Sequence, residues 1–178
     1  RRLSGRLAQA MLSIHAMKGV EIGEAFENAR QPGTQVHEEI HLADAEPAAL
    51  VRPTNRAGGL EGGITTGEPL VARVAFKPIA TTLNPLRSLD LATGEPRAIE
   101  YERSDFCHVP RAVVVAEAMV AYVLAGALLE KLGGDSLAEM RPRFEALRRN
   151  RLADAPMDGQ PWRFDYDMDA EAESPSNG

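Results

Sequence analysis

The chain has 178 residues, 44% of them apolar, with a formal charge of −6 and a single cysteine, Cys107. That is enough sequence for one domain with a real core. One cysteine excludes a disulfide framework and fits a reducing, cytoplasmic compartment, and the charge excludes a basic nucleic-acid-binding body.

The acidity is concentrated at one end. From Arg151 onward seven acids (Asp154, Asp158, Asp165, Asp167, Asp169, Glu171, Glu173) face two bases (Arg151, Arg163), so this stretch carries −5 and the rest −1. With Pro156, Gly159, Pro161 and a closing Glu-Ser-Pro-Ser-Asn-Gly, residues 151–178 are expected to form a disordered acidic tail. Residues 1–150 are read as one folded unit. The chain opens Arg1-Arg2-Leu3 without an initiator methionine and already inside a helical pattern, which reads as a fragment or a processed chain.

Leu3, Leu7, Met11 and Ile14 recur at helical spacing, so residues 1–16 are expected to form an amphipathic helix. Lys18 to Phe26 follow with Val20 and Ile22 on one face, a short strand. Residues 28–51 are polar and mixed, a loop or a poorly marked hairpin. Next comes Asn-Arg-Ala-Gly-Gly-Leu-Glu-Gly-Gly-Ile-Thr-Thr-Gly, residues 55–67, and then a strand over residues 70–77. Leu70, Ala72, Val74 and Phe76 share one of its faces, and Val71, Arg73, Ala75 and Lys77 the other. Pro78 cannot donate to a ladder and ends it. Residues 82–100 are turn-rich, with a short strand expected near residues 98–101.

Residues 111–131 read as one long helix closed by Gly133-Gly134. It is apolar almost all round, with Glu117 the only charge between Arg111 and Glu130. Its length would span a membrane. The internal glutamate and the many small residues favour a helix buried in a soluble assembly. Residues 135–150 are expected to form a second, basic amphipathic helix, with Pro142 near its start or at a kink.

Three patterns carry possible chemistry. His37-Glu38-Glu39-Ile40-His41 fits the zinc pattern H-E-x-x-H, with Glu38 as general base on a helix. The flanking Pro32-Gly33 and Pro47 point instead to solvated loop histidines. The glycine block lets backbone N–H groups approach a phosphate or a ring, and equally suits tight turns between strands. It is neither a P-loop nor a dinucleotide fingerprint. Arg103, Asp105, Cys107 and His108 gather before the long helix, either as a ligand site or as a helix-entry loop. Adjacent Cys107 and His108 point apart on an extended chain, which argues against a nucleophile–base pair.

Ser-Ile-His-Ala-Met-Lys-Gly-Val-Glu-Ile-Gly (residues 13–23), the glycine block running into Phe-Lys-Pro-Ile-Ala-Thr (76–81), and Arg-Ser-Asp-Phe-Cys before Val-Ala-Glu-Ala-Met-Val (115–120) occur together in that order. Over residues 1 to about 140 the chain thereby resembles the C-terminal half of the chorismate synthase family. The resemblance implies an α+β fold, a β-α-β sandwich of antiparallel sheets around buried long helices, assembled as a homotetramer. It implies a lyase of the shikimate pathway. That enzyme makes chorismate from 5-enolpyruvylshikimate 3-phosphate by 1,4-anti elimination of phosphate, with reduced FMN and no net oxidation.

By the same resemblance the flavin contacts fall on His15, Ala16, Gly62, Lys77, Pro78, Ile79, Ala80, Thr81 and Arg103. The reacting groups of this half are Asp105 and Arg103. The family's Arg-His-Asp-Pro-Cys here reads Arg-Ser-Asp-Phe-Cys, so the histidine and proline are changed and the charged pair remains. Arg103 and Lys77 would balance the negative charge of flavin and substrate, and Asp105 would hold a proton near the flavin ring. No metal is implied. Family members are longer. Their N-terminal half brings two catalytic histidines, most substrate-binding arginines and an Arg-Ser-Ser flavin segment, none of which occurs in this sequence. The expectation is a chain that is inactive alone and binds FMN weakly or not at all. Two alternatives stand beside it: a non-catalytic oligomerisation scaffold built on the long helix, and a zinc hydrolase through His37, Glu38 and His41.

Overall fold

A computed structural model describes residues 2–43, 50–102 and 107–147. The expected tail, Arg103 and Asp105 lie outside these residues. Helix α1 (Leu3–Leu12) is followed by strand β1 (Met17–Ile22), the short helices α2 (Ala25–Asn28) and α3 (Gly33–Val36), and strands β2 (His41–Leu42) and β3 (Leu50–Val51). Then come β4 (Leu60–Glu61), β5 (Ile64–Thr65), β6 (Ala72–Phe76), β7 (Arg87–Leu89), β8 (Pro96–Ala98) and the helices α4 (Val109–Leu132) and α5 (Leu137–Glu145). The class is α+β, with four two-stranded antiparallel sheets: β1–β6, β2–β3, β4–β5 and β7–β8.

The β1–β6 pair is the long-range tie. Val20 lies opposite Val74, Glu21 opposite Arg73 and Ile22 opposite Ala72, with a bulge between Met17 and Gly19. Alternation does what the sequence predicts: Leu70, Val74 and Phe76 pack on the core while Arg73 and Ala75 face out. Arg73 is not a free surface charge, since its Nε meets Glu21 Oε2 across the ladder at 2.8 Å. On the inner face lie Leu3, Leu7, Ala10 and Met11, the buried stripe of α1, with Met17, Leu60 and Val123. Lys77 N–H donates to Ala16 O at 2.7 Å, the last bond of the ladder, and Pro78 follows it.

Three expectations change. The strand expected over residues 18–26 stops at Ile22 and the single-turn helix α2 takes Ala25–Asn28, while residues 28–51, read as a loop or a poorly marked hairpin, hold the single turn of α3 and the β2–β3 hairpin. The strand expected near residues 98–101 sits at Pro96–Ala98 and pairs with a strand, Arg87–Leu89, that the sequence pattern did not mark. Its turn is built by Asp90, whose carboxylate accepts Ala92 N–H at 2.9 Å and Thr93 N–H at 3.3 Å. The third change concerns α4. Its sequence is that of a buried helix, yet only Ala112, Val123 and Leu132 of its 24 residues are buried. One side packs on α1, aided by an Arg6–Glu130 ion pair at 2.9 Å. Val113, Val114, Tyr122 and Leu129 stand exposed, because among the described residues no second layer covers that side. The helix is long and apolar enough to cross a membrane, a property that core helices share. Its end is closed by Gly133 and by Arg143, whose Nη1 donates to Leu132 O at 2.7 Å. Pro142 lies in the interior of α5 rather than near its start.

Two predictions follow from this packing. Gly23 takes φ +63°, and a Cβ there would lie 2.1 Å from Arg56 O. Gly23→Ala is expected to cost on the order of 3 kcal/mol in urea unfolding. Gly5→Ala, inside α1 with open space around it, is expected to stabilise by about 0.5–1 kcal/mol. The second concerns pH. Backbone N–H groups of Ala92 and Thr93, then Arg97, hold Asp90 below its ordinary carboxylate value. A depressed value means that the support for this turn is complete above the ordinary carboxylate range. It is lost as pH falls through the folded value. Amide exchange in β7–β8 is therefore expected to accelerate at low pH, beyond its intrinsic pH dependence, in the wild type. In Asp90→Asn that additional change is expected to be absent.

Candidate functional site

The glycine block divides into two parts with different physical reasons. Gly58 (φ +62°) abuts the backbone of Gly23 and Val71, where a Cβ would lie 2.4 Å from Gly23 N. Gly59 faces Pro69 O in the same way, and its N–H donates to Asn55 Oδ1 at 2.7 Å. These two glycines are bare because backbone meets backbone. Gly62 (φ +59°) and Gly63 (φ +87°) form the two-residue turn joining β4 to β5, where both positions need positive φ. A Cβ on Gly62 would meet nothing within 4 Å, so this residue alone in the pair presents open backbone. The tight-turn reading thus holds for most of the block, and Gly62 is the position left free to approach a ligand.

At the other end of β6 is a cavity of about 310 Å³, lined by Ala16, Lys77, Pro78, Ile79, Ala80 and His108. Five of the predicted contact residues therefore converge. His15, exposed, and Thr81, half-buried, flank this lining in sequence. Ala16 is the only non-glycine among the described residues with positive φ, at +65°. It sits in the turn between α1 and β1, and its carbonyl is fixed by Lys77 N–H. Strained backbone held by its surroundings, beside a cavity, is a recurrent property of ligand sites. The Lys77 ammonium has no acidic partner among the described residues.

Sequence reasoning placed His108 in the helix-entry group but did not join it to Lys77 and Ala16, with which it lines this cavity. His108 occupies the N-cap position of α4 without a side-chain capping bond and meets Phe76 edge-on, ring centroids 5.3 Å apart, and its Nε2 is buried without a hydrogen-bond partner among the described residues. Its spacing from Lys77 gives no signal, because the two meet only once β6 is docked beside α4. Gly62 is not part of this cavity. Leu3 N–H donates to Gly63 O at 2.8 Å, which puts the hairpin at the start of α1, whereas Ala16 follows its end. Ten residues of helix separate them, about 15 Å.

The zinc reading of His37–His41 is overturned. His37 follows the single turn of α3, and His41 lies in strand β2 with its Nε2 2.8 Å from Glu39 Oε2. The two histidines therefore do not share a helical face, and among the described residues no group of three metal-ligating side chains occurs. Cys107 is exposed.

A family profile described as chorismate synthase matches residues 1–129. The chorismate synthase of Trichlorobacter lovleyi is 59% identical over 146 residues, covering 79% of this chain and 37% of that protein. That of Chlorobaculum tepidum is 55% identical over 148 residues, covering 83% and 37%. A crystal structure of chorismate synthase superposes with a TM-score of 0.62 at 48% identity, covering 82% of this chain and 35% of the other. The chain thus spans a little over a third of the length of the curated relatives it matches.

The strained turn gives a direct test. Ala16→Gly is expected to stabilise the fold by about 1 kcal/mol, since glycine adopts this conformation without the Cβ penalty. An unchanged or lowered urea midpoint would mean that the turn is not strained.

Proposed function

The chain belongs to the chorismate synthase family, and we propose that it supplies one wall of the flavin site in a protein of full family length. The reaction is the elimination of phosphate from 5-enolpyruvylshikimate 3-phosphate to give chorismate, in a cytoplasmic homotetramer. The observation that carries this reading is the convergence of Ala16 with Lys77–Ala80 on one cavity, on residues that the family resemblance selects independently. When bound, reduced FMN supplies electron density to the breaking C–O bond and recovers it.

The residues present fit such a group. The cavity offers the Lys77 ammonium, which has no acidic partner among the described residues, and backbone from the Ala16 turn, with the apolar side chains of Pro78, Ile79 and Ala80 to border a ring. Ala16, Lys77, Pro78 and Ala80 are exposed here, and once further chain closed the site a positive charge beside apolar groups would stabilise an anion more strongly than the same charge in water. Arg103 is proposed to add a second positive charge, and Asp105 to hold a proton at the ring. Both precede His108, a cavity residue, by no more than five positions in sequence. Gly62 is proposed to touch the flavin from the β4–β5 hairpin. At about 15 Å from the Ala16 turn it meets a different part of an extended ligand from the Lys77 wall.

The chain is proposed to be inactive by itself. Its two catalytic histidines and most substrate arginines are expected from the part of the family's length that this chain does not span. An apolar groove of about 620 Å³ between α1, β6 and α4, lined by Leu7, Met11, Leu60, Val74, Phe76 and Ala112 among others, supports that reading. Open apolar surface of this kind calls for further chain to cover it.

FMN fluorescence quenching tests the proposal. The 178-residue chain is compared with a chimera carrying residues 1–147 in place of the matching segment of the Trichlorobacter lovleyi relative. The chimera is expected to bind FMN tightly, more so with 5-enolpyruvylshikimate 3-phosphate, and the chain alone at least tenfold more weakly. Lys77→Ala in the chimera is expected to lose about tenfold in FMN affinity, the size of one charge-assisted contact. Absence of FMN binding by the chimera would leave the oligomerisation scaffold as the better reading.

A further inference from the structure

The His37–His41 pattern contains a buried charge that zinc does not explain. The Glu38 side chain, between α3 and β2, is only 2% exposed. Its Oε1 accepts Ala57 N–H at 2.8 Å, and its Oε2 accepts from Arg52 Nη1 at 3.2 Å. The Arg52 side chain, 15% exposed, turns its other nitrogen outward, with Nη2 2.9 Å from Glu61 Oε2. One guanidinium therefore joins two carboxylates. One of these is anchored on the backbone of residue 57, and the other belongs to residue 61. Those positions bracket Gly58-Gly59-Leu60, and Glu61 immediately precedes Gly62.

A Gly-Gly hairpin turn forms on its own conformational preference and needs no buried ion pair. A desolvated carboxylate is expensive unless it is paired and hydrogen-bonded. The triad must therefore supply something other than the turn itself. What it adds is placement, since it ties Ala57 and Glu61, on either side of Gly58-Gly59-Leu60, to a carboxylate 19 residues before Ala57. Asn55 reinforces the same unit, accepting from Gly59 N–H and donating to Pro69 O at 2.8 Å.

We propose that Glu38, Arg52 and Glu61 form a positioning clamp that holds the Gly62–Gly63 turn where Gly62 can meet the flavin. This rests on the reading of Gly62 as a flavin contact. None of the three residues needs to touch the ligand. The clamp acts through the backbone it holds.

Two measurements test it. Amide exchange is read at residues 57–62 in the 178-residue chain, and FMN affinity in the chimera described above. Glu38→Ala is expected to accelerate exchange at residues 57–62 at least tenfold and to weaken FMN binding at least tenfold. Glu38→Gln, which keeps a carbonyl oxygen for Ala57 N–H, is expected to restore most of both. Glu61→Ala removes the outer carboxylate of the clamp from a side chain that is 45% exposed. It is expected to weaken FMN binding while the thermal midpoint stays unchanged, and it carries the test should Glu38→Ala not fold. Unchanged exchange in Glu38→Ala would overturn the clamp. Faster exchange with wild-type FMN affinity would reduce the triad to a structural role and overturn positioning. Should Lys77→Ala also bind FMN like the wild type, the flavin reading fails, and the exchange data still decide whether the clamp exists.

Discussion

The backbone ladder between β1 and β6 is the constraint on which the rest of this molecule depends. At one end Gly23 N–H donates to Val71 O, and Val71 N–H donates in turn to Gly58 O, which draws the glycine block into the sheet. At the other end Lys77 N–H reaches Ala16 O, and the cavity lies just beyond it. The two regions singled out for ligand contact are thus the two ends of one strand pair. Loosening the ladder would uncouple them together. A two-stranded ribbon is marginal in water, so it relies on the apolar stripe of α1 beneath it, where Leu7 and Met11 are the largest fully buried side chains among the described residues.

Polar groups do the fine placement within this frame. Two arginines near the glycine block are committed, Arg73 to Glu21 and Arg52 to Glu38 and Glu61, while Arg56 within the block has no acidic partner among the described residues. Lys77 at the opposite end has no such partner among the described residues. Paired charges of this kind hold backbone, whereas the Lys77 ammonium borders a cavity. His108 borders the same cavity, with its buried Nε2 lacking a hydrogen-bond partner among the described residues and its ring set edge-on against Phe76.

Much of this was legible in the sequence where the controlling forces are local. The stripe of Leu3, Leu7 and Met11, the alternation through Phe76, the stop at Pro78 and the Gly133 terminator each act within a few residues, and each appears where expected. The β7 strand was not legible, because Arg87-Ser88-Leu89 has no alternating apolar pattern and is held by a turn that Asp90 nucleates. The role of Glu38 was hidden for a related reason. Its five-residue pattern offered a solvated loop, with zinc as the alternative, whereas its partners Arg52 and Ala57 are brought to it only by the fold. The bareness of Gly58 and Gly59 pointed to a ligand, and their neighbour proved to be this chain's own backbone. The contact residues in the Phe-Lys-Pro-Ile-Ala-Thr segment came from family resemblance, since nothing in their periodicity marks them.

The burial of α4 shows how a sequence pattern describes a larger object than the chain that carries it. A helix apolar on every side is stable in water only when layers cover it all round. Here α1 and β6 cover one side, and Val113, Val114, Tyr122 and Leu129 remain open on the others. The chain spans 37% of the length of its relatives. The mismatch between the buried character of the α4 sequence and its exposed surface is what a domain divided along its core would produce. On this argument the hydrophobic effect, rather than the ligand, would hold the remaining part of the domain in place. The cavity at Lys77 would become a closed site only after that apolar joint had formed.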